Sequence, residues 1–75
     1  MFRVTLIGMY QGEVRWDGNE LRTPEGVVVA HYSPEGHVFA IHFHAERQHE
    51  LYRSELLARQ AIQAWAESEE YHVSI

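Results

Sequence analysis

Seventy-five residues make one small domain, which buries only about 60% of its unfolded surface and has little stability to spare. The chain has no Cys and no Lys, a single Asp, six Arg against eleven acids and a formal charge of −5. That excludes disulfide and zinc-thiolate staples, thiolate nucleophiles, Schiff-base lysines and a Walker-type phosphate lysine.

No run nears the roughly 20 apolar residues of a membrane helix, and no GxSxG, HExxH or GxGxxG motif occurs. The N-terminal stretch lacks the apolar length and small-residue cleavage site of a signal peptide. The expectation is a soluble, cytoplasmic, non-enzymatic protein that uses no cofactor.

In chain order, period-2 patterning predicts strands over 2–9, 13–17, 20–23, 26–32 and 37–44. The pair 13–17 and 20–23 is short enough to form a twisted ear around the Asp17-Gly18-Asn19 turn. A ten-residue segment then occurs twice in tandem. Thr23-Pro24-Glu25-Gly26 leads into one apolar run, and Ser33-Pro34-Glu35-Gly36 leads into the next. Pro presets φ for a type I turn and Gly accepts the left-handed position that closes it. Each copy, like Tyr10-Gln11-Gly12, therefore predicts a three-residue hairpin with a G1 bulge.

This register collects Phe2, Val4, Leu6, Val14, Trp16, Leu21, Thr23, Val27, Val29, His31, Phe39, Ile41 and Phe43 on a core face. The opposite face receives Arg15, Asp17, Glu20 and Arg22, followed by Val28, Ala30, Tyr32, Val38, Ala40, His42 and His44.

From Glu46 the period changes. Leu51, Ala58 and Trp65 fall seven apart, with Ala61, Ile62 and Ala66 beside them, which predicts an amphipathic helix over 46–68. At about 33 Å such a helix must cross the sheet diagonally or overhang it. Glu67, Glu69 and Glu70 crowd its negative dipole end, and Tyr71-His72-Val73-Ser74-Ile75 alternates like a short strand or tail. The fold class is α+β: a single domain with an antiparallel β-meander of four to five strands over 1–44, packed on one long C-terminal helix within 45–70, with Trp65 and Leu51 docked on Phe39, Ile41 and Trp16.

Candidate binding residues follow from that register. Val28, Ala30, Tyr32, Val38, Ala40, His42 and His44 form an apolar outer patch, more often an interface than bare surface. Val38–His44 reads as an edge strand without Pro, Lys or formal charge, the kind that recruits other strands. Tyr52 and Leu56 lie off the helix stripe as a further anchor. Together they point to a small acidic protein-binding module, an inhibitor, regulator or adaptor of the kind mobile elements or phages carry. Its partner is another protein with a basic surface, and a homodimer is expected. The runner-up is nucleic-acid binding through Arg15 and Arg22, set against the negative charge. His42 and His44 form an H-x-H pair that could reach one metal, with His49, His72 or Glu46 as a third ligand. This His-centred site is the third reading, and because a metal needs three or four convergent ligands the expectation is none.

Overall fold

The computed structural model describes residues 12–74, which form a six-stranded, mostly antiparallel sheet packed against one helix, an α+β fold. The strands are β1 (Gly12–Asp17), β2 (Glu20–Arg22), β3 (Val28–Glu35), β4 (Val38–Phe43), β5 (Glu46–Tyr52) and β6 (Tyr71–Ser74), with α1 (Glu55–Ser68) between the last two. The order across the sheet is β5-β4-β3-β2-β1-β6. The strand expected over 2–9 lies outside the described residues, as does most of the turn at 10–12.

Two turns follow the sequence reading. Gly18 and Asn19 join β1 to β2 as a two-residue turn, with Asp17 paired to Glu20 and Gly18 at φ 64°. Thr23 and Val27 close a three-residue loop over Pro24-Glu25-Gly26 through Thr23 N–H to Val27 O (2.9 Å), with Gly26 at φ 92°. There the first copy of the repeat makes the expected hairpin.

The second copy does not. Glu35 pairs with Val38, so the turn is the two-residue Gly36-His37, with Gly36 at φ 68°. One residue fewer in the turn inverts the strand before it. Tyr32 and Ala30 pair with Ile41 and Phe43 and join the core, while His31 moves to the opposite face beside His42. The physical reason is burial: this register places a tyrosine ring, rather than an imidazole, under the helix. A bulge absorbs the odd residue. Leu21 pairs with Ala30 but Arg22 with Val28, and Val29 is buried between them.

The helix begins nine residues later than the expected Glu46. Glu46–Tyr52 is instead a fifth antiparallel strand, reached through a two-residue turn at His44-Ala45. Both turn residues have positive φ, 50° and 68°, without glycine's freedom. Ser54 caps the helix, its Oγ accepting the Leu57 N–H at 3.1 Å. Leu51 consequently lies on β5 and is exposed, rather than leading the helix stripe.

Ala58, Ile62 and Ala66 form the buried face of α1, over Val14, Leu21, Ala30, Tyr32 and Ile41. Trp65 stacks on Phe43 (4.2 Å between centroids, planes 5° apart) rather than on Phe39, Ile41 or Trp16. Glu55 is bonded to Tyr32, while Trp65 reaches Phe43, whose cross-strand partner is Ala30. The helix thus runs back against β3 as it crosses the sheet. Its 14 residues rise about 21 Å, close to the roughly 24 Å spanned by five strand spacings. That length delivers the chain from β5 at one edge to β6 at the other, where β6 pairs parallel with β1.

Ala45 carries a Cβ in the left-handed region, where glycine costs less. Ala45→Gly is expected to stabilise the fold by about 0.5–1 kcal/mol, read as a higher urea midpoint with an unchanged slope. A lower midpoint would show that the turn does not hold this conformation in solution.

Candidate functional site

The helix covers one face of the sheet. On the other, β1 and β2 carry Arg15, Asp17, Glu20 and Arg22, as their alternation dictates. Arg15 and Arg22 are direct cross-strand partners, so the two cations of the nucleic-acid reading do come together. Only one is free. Arg22 donates to Glu20 Oε1 through Nη2 (2.5 Å) and Nε (2.9 Å), reaches Asp17 at 3.6 Å, and donates from Nη1 to Gly26 O at 3.0 Å. Arg15 is exposed and makes no ion pair among the described residues. Both border an open concavity of about 600 Å³ whose polar lining also includes Glu13, Asp17, Thr23 and Ser74.

The expected outer patch is divided between two faces. Ala30 and Tyr32 are buried under the helix. Val38, Ala40 and His42 stay on the helix-free face, where Ala40 is buried between Ser33 and Leu51, its partners on β3 and β5. Val28 pairs with Arg22. His44 occupies the β4–β5 turn and meets Trp65 edge-on, centroids 5.5 Å apart, on the helix side. His42 and His44 therefore diverge, and no group of three or more potential metal ligands forms among the described residues.

β4 is not an edge. β3 and β5 flank it on both sides, which removes the unpaired backbone that motivated strand recruitment at 37–44. Among the described residues the sheet ends at β5 on one side and β6 on the other. β5 is guarded by Glu46, Arg47 and Glu50 and by a bulge: Ala40 pairs with Leu51 and His42 with Arg47, so three residues of β5 oppose one of β4. Charges and bulges are the usual protection of an edge strand.

Tyr52 and Leu56 also part company. Tyr52 pairs with Phe39 and packs against the core, whereas Leu56 is 63% exposed. It has company the sequence reading missed: Leu51 on β5 is 48% exposed and Leu57 46%. Three solvent-facing leucines thus fall within seven residues, where the edge strand turns into the helix. Ser54 ahead of an apolar run is an N-cap signal that would have placed Leu56 and Leu57 in an open first turn.

Beneath the helix, one polar network fixes this corner. The Tyr32 hydroxyl donates to Glu55 and accepts from Arg59 Nη1 at 3.2 Å. Arg59 also donates to Gly18 O at 2.9 Å and lies 4.1 Å over the Trp16 ring. Burial and the Glu55 carboxylate push the Tyr32 phenol above its ordinary value, against Arg59. These groups satisfy one another and tie the start of α1 to the β1–β2 turn. No protein-family model, curated protein or solved structure matches the chain.

Tyr32→Phe leaves Glu55 and Arg59 without their shared partner while keeping the ring. A loss of about 1–2 kcal/mol is expected, measured by urea unfolding. A variant as stable as the parent would show that the network is incidental to helix docking.

Proposed function

We propose that this chain is a non-enzymatic protein-binding module that docks through the corner between β5 and α1. The observation that carries this reading is the pair of exposed leucines in the first turn of α1, Leu56 and Leu57. A single exposed leucine means nothing. Two in the first turn of α1, beside the backbone edge of β5 and the exposed Arg53, supply the apolar centre and polar rim of a recognition surface, while Leu51, the cross-strand partner of Ala40, is exposed on the helix-free face.

The partner offers an apolar groove for the leucines. A basic surround on it suits the charge of −5 and speeds encounter. Inhibition, regulation or bridging of a basic protein is the role that fits. The absence of enzymatic chemistry in the reading rests on the missing Cys and Lys and on a polar network whose members are committed to one another. No helix among the described residues is long and apolar enough to cross a membrane.

The test uses paired variants in the native host. Leu56→Asp with Leu57→Asp should shift stability by no more than about 0.5 kcal/mol, as exposed sites do, yet abolish specific cross-linking to the partner. Ser33→Arg, on the helix-free face, should leave cross-linking intact. The reverse pattern moves the site to the sheet face. Sedimentation distinguishes a foreign partner from a second copy: association of the 8.8 kDa chain that the double variant disrupts makes the chain its own partner. The runner-up has in its favour Arg15, which is exposed and makes no ion pair among the described residues. Submicromolar DNA or RNA binding that falls steeply with salt and is lost in Arg15→Ala would replace the protein-binding reading.

A further inference from the structure

The strand registers lay one row of polar side chains across the helix-free face. Asp17 on β1 pairs with Glu20 on β2, Glu20 with His31 on β3, His31 with His42 on β4, and His42 with Arg47 on β5. At its centre the two imidazoles lie face to face, 4.3 Å between centroids and 3° from parallel. His42 Nδ1 is shut off from solvent and has no hydrogen-bond partner among the described residues.

The charges around this stack are already engaged. Glu20 approaches from β2 but holds Arg22, and Asp17, farther along the row on β1, lies 3.6 Å from that same Arg22. Arg47 approaches from β5 but is bound to Glu35 of β3 at 2.7 Å, an ion pair that holds the Glu35 carboxyl below its ordinary range. Nothing comes from α1, which packs on the opposite face. The two carboxylates that face the rings, Glu20 toward His31 and Glu35 toward His42, therefore each already hold an arginine, and neither is left to one ring alone.

We propose that the His31–His42 stack is an acid-operated catch between β3 and β4. At neutral pH two uncharged rings close over the middle of the helix-free face; in mild acid protonation drives them apart and loosens that face. Two chemical facts make the stack proton-sensitive. A charged imidazolium carries N–H donors on both nitrogens, and a donor at the enclosed His42 Nδ1 has no acceptor unless the ring moves to water. Two cationic rings in van der Waals contact also repel.

His31 points the same way. Burial, then the neighbouring His42, lowers its proton affinity, with Glu20 opposing. The folded value lies below the unfolded one, so the unfolded chain binds more protons across the window beneath the ordinary histidine value. The stabilisation is present above that value and is lost as pH falls through it. The catch is independent of whatever Leu56 and Leu57 bind, because α1 packs on the opposite face of the sheet and the two rings need no partner to operate.

The test compares urea unfolding at pH 7.5 and pH 5.0 for the parent and for His31→Phe/His42→Phe, which keeps two stacked rings and removes both protons. The parent's unfolding constant should rise several-fold in acid, and the double variant should lose most of that rise. Equal acid sensitivity in the two proteins, or none in the parent, overturns the proposal. If the double variant does not fold, NMR titration of the parent's histidine rings decides. In mild acid the mutual ring shielding of His31 and His42 should be lost, with intrinsic-rate-corrected amide protection falling first in β3 and β4. Ring signals that keep this shielding, with no loss of β3–β4 protection, would overturn it.

Discussion

The length of one turn determines which residues this protein buries. Side chains on a strand alternate between faces, so a turn with one residue more or fewer reverses the strand before it, up to the bulge that restores the register between β2 and β3. With Gly36-His37 as a two-residue turn, Tyr32 meets Ile41 under the helix and His31 meets His42 in the open. A three-residue turn would place an imidazole in the core and a tyrosine in water. The Tyr32 hydroxyl could then reach neither Glu55 nor Arg59, and the start of α1 would lose its tie to the β1–β2 turn. Core, polar network and histidine row all depend on this one register.

Most of the architecture was legible where two signals agreed. β1, β2 and β4 combine alternation with recognisable turn residues, and their faces were read correctly: Val14, Trp16, Leu21, Phe39, Ile41 and Phe43 lie on the helix side. The loop at Pro24-Glu25-Gly26 has its expected geometry. The repeat misled at its second copy, because two segments with the same Pro-Glu-Gly composition can turn at different places. Which one forms depends on what the flanking strands must bury, a tertiary matter. β5 was hidden twice over. His44-Ala45 lacks the residues that mark a tight turn, and Leu51 falls by chance seven residues before Ala58, extending the apparent helical period into a strand.

The candidate site was less legible than the fold. The face of β3 carried much of the expected interface, so the inverted strand moved Ala30 and Tyr32 from surface to core. The sequence also could not show that β4 has a neighbour on each side. Arg15 and Arg22 were placed together correctly because their alternation is local. That Arg22 is held by Glu20 and Asp17 depends on side-chain reach across the sheet, which spacing does not reveal. Leu56 was readable as lying off the helix stripe. Its neighbours Leu51 and Leu57 became visible only once the helix start was fixed at Ser54.

The pairing of β6 with β1 bears on how the chain reaches this state. Gly12 finds its partner in Tyr71, and Arg15 in Ser74, so this ladder closes only across nearly the whole described chain. Contacts this distant in sequence slow folding, because the intervening loop must be ordered before they form. During synthesis β1 through β5 can assemble by local hairpins while the far side of β1 stays unpaired. That edge is filled only after α1 has emerged and docked. Until then the described strands form a sheet with no helix on it and one open edge, the species most prone to join another chain. The final four-residue strand therefore matters less for the contacts it adds than for closing this interval.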